Sequence, residues 1–290
     1  MYYCFVNAVT GGTVGSDQTL CGNNPTAFNE LTAANAAGTI SYQWQSSTTG
    51  CAGPWSVIVG ATSATYDAPA GVVVTTYYQR VTTSTLNSVA CTATSNCITV
   101  TANAITPGTI SGNRTICNGG DPAAFTVSVA ATGTNLTYQW QISTTTSAGP
   151  WTDITGETTD TYDAPGPITQ TTYYRRIAIA IVNSTSCSAN SNFVTVFVNS
   201  VTPSMVTGDQ SVCGTADDPA AFAVSTAATG NGTLSYQWQS NTTGCGGSWT
   251  NILGATSATY DAPNVLLTTY YRVVITSTLN SVQCTRLAIA

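Results

Sequence analysis

The string Ser41-Tyr42-Gln43-Trp44-Gln45 returns as Thr137-Tyr138-Gln139-Trp140-Gln141 and again as Ser235-Tyr236-Gln237-Trp238-Gln239, with the tryptophans 96 and then 98 residues apart. A fixed period constrains this chain more than any other feature, because each repeat must fold as one unit and bury its apolar face on itself or its neighbours. The repeats run over 11–106, 107–202 and 203–290. A segment at 1–10 precedes them and matches 98–106 and 194–202, which close repeats one and two. It reads as the closing strand of a preceding repeat, or as a donor strand. The third repeat lacks its own last strand, so one expectation is a subunit that polymerises by strand addition to an open sheet edge. The other is a window on one giant tandem chain.

Within each repeat the apolar residues alternate and turn signals recur every 8–12 residues. In repeat two, strands are expected up to Cys117 and over 125–130, 136–142, 151–154, 161–162, 171–182 and 193–198, with a turn at Asn118-Gly119-Gly120-Asp121-Pro122. Leu136, Tyr138 and Trp140 fall on one side of the pleat; Thr137, Gln139 and Gln141 fall on the other. Seven or so short strands in under ~100 residues predict a β-sandwich, with Trp44, Trp140 and Trp238 as core plugs. The fold class is all-β: three tandem immunoglobulin-like sandwiches in an elongated array.

The surface of such an array is unusual. Only 6% of the residues are charged, the net charge is −6, and the six basic residues are all Arg, with no Lys and no His. Nucleic acid is excluded as a partner, because phosphate binding needs clustered basic charge. Nucleophilic triads lack their usual base. Paired carboxylates are scattered among repeats, and only Asp67, Asp163 and Asp261 recur, each in Tyr-Asp-Ala-Pro. A residue repeated in every module is turn chemistry before it is an active site, so no enzyme and no catalytic residues are expected. No cofactor is expected either, although the same three Asp residues are candidates for calcium at module junctions, helped by Asn23-Asn24, by Asp121, and by Asp217 with Asp218. Trp55, Trp151 and Trp249 follow Gly-rich turns. They read as core aromatics at the sandwich edge or, if exposed, as platforms for a sugar ring or a surface. No apolar run reaches the ~18 residues of a transmembrane helix.

The ten cysteines imply disulfides and an oxidising, extracellular compartment. Cys21, Cys117 and Cys213 are equivalent, as are Cys91, Cys187 and Cys284. Cys51 and Cys97 occur together in repeat one and are replaced together, by Ser147 and Phe193, in repeat two, so they are expected to bond each other. Cys245 and Cys4 remain, and are expected to bond between copies. For the two recurring positions, pairing within modules leaves no orphan and is the expectation adopted. An alternative follows from strand length. If the two turns lie at opposite ends of a sandwich, ~17–20 Å apart, a disulfide cannot span them. Cys21 then reaches Cys187 and Cys117 reaches Cys284.

The string Y-Q-W-Q, the run from Trp249 to Tyr260, the T-T-Y-Y-R motif, Thr115-Ile116-Cys117-Asn118-Gly119 and Ser186-Cys187 together resemble immunoglobulin-like repeats of very large secreted proteins of the Bacteroidetes, in particular gliding-motility and surface adhesins exported by the type IX system. The resemblance covers the whole chain. It implies an extracellular, structural or adhesive role at the cell surface, partners that are further repeats or copies of the chain or a glycan or other surface, and no catalytic residues.

Overall fold

The computed structural model describes residues 2–213 and 217–288. Met1 of the leading segment, Ile289 and Ala290 of repeat three, and 214–216 lie outside the described residues. Every regular element among those described is a β-strand, and no helix is long and apolar enough to cross a membrane.

Repeat two gives the plan. One sheet has the order Arg114–Cys117, Thr185–Asn199, Thr172–Val182, Thr137–Ser143, Thr152–Asp153. Its first pair is parallel and the others are antiparallel. A second layer pairs Thr109–Ser111 with Thr126–Val129 and reaches Tyr162 through a single bridge from Phe125. Repeat one has the same order, with the closing strand in two pieces, Val89–Thr94 and Ile98–Ala102. Repeat three keeps the order Thr250–Asn251, Thr233–Asn241, Tyr270–Leu279, Val282–Leu287 and the second-layer pair Met205–Thr207 with Ala223–Thr226.

The core between the layers is aromatic. Trp140 is fully buried and packs on Phe125 and Tyr162, with ring centroids 5.9 and 5.4 Å away, and Tyr174 closes the cluster 5.0 Å from Phe125. Rings of this size each bury 150–250 Å², or roughly 4–6 kcal/mol of transfer free energy apiece. The indole N–H donates to the Thr159 carbonyl at 2.9 Å, so the buried polar atom is satisfied. Trp44 and Trp238 repeat the arrangement with the Ser63 and Ser257 carbonyls. The tryptophans are the core plugs that their alternation predicts.

Two strand expectations change. The last strand of repeat two begins at Thr185, not at 193, because Asn183 and Ser184 both take positive φ (46° and 63°) and turn the long strand straight back on itself. Two successive left-handed residues make the tight hairpin turn whose twist suits the strands. Asn87-Ser88 and Asn280-Ser281 do the same. The leading segment, read as a strand over 2–9, is a strand only at Val9–Thr10, where it pairs with Asn35–Ala36. Residues 2–8 lie outside the regular strands, and the Ala8 carbonyl accepts the Ala37 N–H at 2.9 Å where the pairing begins.

The start of each module needs glycine. Gly108 has φ +65°, and a Cβ there would lie 2.3 Å from the Val129 carbonyl oxygen. Gly12 is its counterpart, 2.5 Å from the Thr32 oxygen. The chain thus passes close against the second layer as it enters each sandwich.

Candidate functional site at the module junctions

The structure concentrates its specific polar chemistry where one sandwich meets the next. In module one the strand Gln18–Leu20 runs parallel to the closing strand Ile98–Ala102. Both therefore leave the sheet at the same end, and Asn103 N–H donates to the Leu20 carbonyl there. Cys21 and Asn103 are delivered side by side to the neighbouring module.

Asn103 enters the hairpin of module two. Its Nδ2 donates to the Ala180 carbonyl at 3.0 Å and the Thr185 carbonyl at 3.2 Å. Asn199 makes the same two bonds to Ser277 and Val282 of module three, at 2.7 and 2.9 Å, and Asn7 makes them to Ser84 and Val89 of module one, at 2.9 and 2.8 Å. In the outer two latches a serine completes the set. The Ser84 hydroxyl donates to Asn7 Oδ1, and the Ser277 hydroxyl to Asn199 Oδ1. Module two has Ala180 at that position, and the buried Oδ1 of Asn103 has no partner.

Beside each latch between modules is a disulfide. Cys21 bonds Cys187 and Cys117 bonds Cys284, with Cα separations of 5.3 and 5.5 Å. The expected bonds within modules, Cys21–Cys91, Cys117–Cys187 and Cys213–Cys284, are not formed. The two positions lie at opposite ends of a sandwich, too far apart to bridge. The hairpin cysteine faces the preceding module and the turn cysteine faces the following one. A third contact completes the junction: the turn residue Asn183 donates to Thr19 Oγ1 at 3.2 Å, and Asn280 to Thr115 Oγ1 at 3.0 Å. Cys51–Cys97 is formed within module one, as their joint presence predicts. Cys4, Cys91, Cys213 and Cys245 are free thiols.

Two buried arginines support the junction from inside. The long strand alternates, and its inward positions include Arg80 and Arg176, both wholly buried. Arg80 donates to the Ala64 and Gly11 carbonyls at 2.6 and 3.0 Å, lies 4.4 Å over the Tyr42 ring and pairs with Glu30 at 2.9 Å. Arg176 donates to the backbone carbonyls of Asp160 and Pro107 and sits over Tyr138. Gly11 and Pro107 are the first residues of their modules, so each arginine ties the incoming chain to the core. Burial lowers the pKa of Arg176, although a guanidinium keeps its charge throughout. In module three Val273 takes this position and is wholly buried.

The remaining candidates are dispersed. Asp67, Asp163 and Asp261 are exposed, each just after the tyrosine of its core cluster and before a buried alanine. Asp121 accepts the Gly166 N–H and Asp217 the Cys213 N–H. Among the described residues, no group of three His, Cys, Asp or Glu is placed to hold a metal ion. Trp55, Trp151 and Trp249 are half-buried. Arg175 covers Trp151 at 4.5 Å and Arg272 covers Trp249 at 4.3 Å. Trp151 and Trp249 are thus cation-capped edge aromatics with one face already occupied, whereas in module one Gln79 stands where Arg175 and Arg272 do.

No curated protein matches the chain. Among solved structures it is similar to the three N-terminal domains of the Highly Immunogenic Outer Capsid protein of bacteriophage RB49, at 11% identity over 98% of this chain and 97% of that one, with a TM-score of 0.38. It is also similar to a SusE-like surface located polysaccharide binding protein of Bacteroides thetaiotaomicron, at 13% identity, 82% of this chain, 43% of that one and a TM-score of 0.29. Immunoglobulin domains 1–5 of Sidekick-1 match at 12% identity, over 97% and 60%, with a TM-score of 0.29. The model of a domain of unknown function, DUF8696, matches residues 10–104, 106–200 and 202–289, and the chain therefore belongs to that family as three tandem copies.

Proposed function

We propose that the chain is a structural, non-catalytic segment of an extracellular bacterial surface filament or giant repeat adhesin, and that its work is mechanical. The junction carries this reading: the same disulfide, the same asparagine latch and the same turn contact occur between both pairs of neighbouring modules. An array that had only to display independent domains would have no need of covalent staples between them. The disulfides and the sparsely charged Thr/Ser/Asn surface suit a secreted or surface protein.

The staples overlap, since Cys117 lies inside the span from Cys21 to Cys187 and Cys187 lies inside the span from Cys117 to Cys284. Even a fully unfolded array would pay out only the stretch from Cys117 to Cys187 between Cys21 and Cys284. That stretch is about 70 residues, or ~24 nm at ~3.4 Å per residue. Reduction would release about 260 residues, or ~90 nm. Pulling single molecules from their two ends, with and without reductant, tests the proposal. The short extension is expected in oxidising buffer and the long one after reduction. Equal extensions and equal rupture forces in the two buffers would refute a mechanical role for the junctions.

A further inference from the structure

In module one the segment from Ser63 to Asp67 alternates. Ala64 and Tyr66 are half-buried, while Ser63, Thr65 and Asp67 are exposed. At ~3.3 Å per residue this polar row is about 13 Å long. No hydrogen bond within the described residues uses its two hydroxyls or its carboxylate. Facing the row is the turn Ile58-Val59-Gly60-Ala61, and the two line an open cleft of about 420 Å³. One wall is apolar and the other is hydrogen-bonding. Both hang from the core. Gln43 donates to the Ile58 carbonyl at 2.8 Å, the Trp44 backbone N–H to the Ala61 carbonyl at 2.9 Å, the Trp44 indole to the Ser63 carbonyl at 3.0 Å and Arg80 to the Ala64 carbonyl at 2.6 Å. The cleft is therefore set before anything enters it, which lowers the ordering cost of binding.

Module three repeats the set. Leu253, Ala255, Ser257, Thr259 and Asp261 hold the same places, with the Trp238 backbone N–H bonded to the Ala255 carbonyl and its indole to the Ser257 carbonyl. Val59 and Leu253, at the tips of the two turns, are almost wholly exposed. Module two departs at each point. Thr155 replaces the apolar tip and Glu157 replaces the alanine. Thr159, in place of the serine, gives its hydroxyl to the Thr161 carbonyl at 2.6 Å.

We infer that the clefts of modules one and three bind a neutral polysaccharide, a few sugar rings in each. A sugar ring is two-sided as the cleft is, with C–H bonds on its faces and hydroxyls around its rim. Val59 and Ala61 cover the C–H face. The Asp67 carboxylate accepts from neighbouring hydroxyls, and Ser63 and Thr65 donate or accept along the row. The volume lies within the ~300–1,000 Å³ of small-molecule sites, and apolar walls with a few placed polar groups are their usual lining. The ligand is uncharged, because the one charge in the cleft is a carboxylate and the chain carries −6 overall, which repels an anionic polymer. A calcium ion wants six to eight oxygens, and the cleft offers a single carboxylate. Two clefts on one chain engage a long polymer together, so the second contact is intramolecular. None of the lining residues makes a junction contact, so the site stands apart from the mechanical role of the array.

The test is native electrophoresis of the whole chain in gels containing xyloglucan, galactomannan, glycogen or dextran, with EDTA throughout and alginate as the anionic control. At least one neutral polymer is expected to retard the chain, and alginate is not. Ala61→Glu with Ala255→Glu copies the residue of module two into both clefts, and Glu157 already stands at that place in a folded module. This double variant is expected to lose the retardation. Either substitution alone should weaken it ~10-fold or more, since avidity is worth roughly 10²–10⁴. Asp67→Ala with Asp261→Ala should also remove it, and neither carboxylate makes a hydrogen bond that the fold would miss. Retardation by none of the polymers, retardation by alginate, or retardation that both double variants keep would each overturn the inference. Binding that appears only when calcium replaces EDTA would overturn it too, because the Asp67 carboxylate would then be holding an ion.

Discussion

Replacing Ala180 with serine should stabilise module two through one atom. Asn103 is 2% exposed and both its amide protons are used, but its Oδ1 is buried without a partner. Ser84 and Ser277 occupy the equivalent position in the other modules, are themselves wholly buried, and give their hydroxyls to the latch asparagine. The mutation adds the missing donor. A buried polar atom left unsatisfied costs ~1–3 kcal/mol, and a made hydrogen bond returns ~0.5–1.5 kcal/mol net. Burying the new hydroxyl offsets part of this, which leaves a gain of about 1 kcal/mol. For a module of this size that is a rise in Tm of ~4–8 °C. Space limits the geometry: a Cβ on Gly133 would sit 3.2 Å from the Ala180 methyl, so the hydroxyl must take the side facing Asn103. Scanning calorimetry of the wild type, Ala180→Ser, Asn103→Ala and the double variant gives a complete cycle. The gain should vanish when Asn103 is alanine. A gain that persists in the Asn103→Ala background, or no gain with Asn103 present, would refute the assignment of the latch.

Three further outcomes are expected. Replacing Cys117 and Cys284 together with serine should cost about 2–4 kcal/mol, read as a lower melting transition and as new proteolysis at the junction of modules two and three. Trp140→Ala should cost ~3–5 kcal/mol, since it removes the core plug and orphans the Thr159 carbonyl; chemical denaturation would measure it, and an effect below ~1 kcal/mol would contradict the packing described. The core tyrosines should make the fold sensitive to alkali. Burial, and then the neighbouring Tyr162, push the Tyr174 phenol up to about 12, and Tyr78 and Tyr271 are raised for the same reasons. Below about pH 10 the phenols are neutral in both the folded and the unfolded chain. Between about pH 10 and 12 the unfolded chain releases protons that the folded one retains, so stability falls as pH rises through that window. Ionisation of Tyr78, Tyr174 and Tyr271, followed residue by residue by NMR, should appear together with unfolding; their ionisation in a still-folded protein would be the contrary result.

What was legible in the sequence was what repeats locally. The three buried tryptophans announce themselves by alternation within seven residues, and Cys51–Cys97 by appearing and disappearing as a pair. The recurring cysteines are harder, because the spacing of 70 residues within a module is as regular as the spacing of 166 or 167 between modules. Only the length of a strand decides between them. The asparagine latch gave no signal. Asn is common in this chain, and the acceptors of Asn103 are backbone carbonyls some 80 residues away, which have no sequence signature. The burial of Arg80 and Arg176 was not read from the sequence, because a wholly buried arginine is rare. The alternation around Tyr78 and Tyr174 places them inward, and Val273 at the same position in module three confirms that the site is part of the core.

Because both internal junctions use the same contacts, a module is a unit of length. Excising 107–202 would bring Cys21 opposite Cys284 and carry Asn103 into the third hairpin, where Ser277 offers the hydroxyl that Ala180 lacks. Duplicating that stretch would create only a junction of the kind already present. A gene of this form can grow or shrink by whole repeats through unequal recombination, and each product meets only interfaces of a kind the parent has. The reach of the protein is thereby free to vary under selection while its fold stays constant.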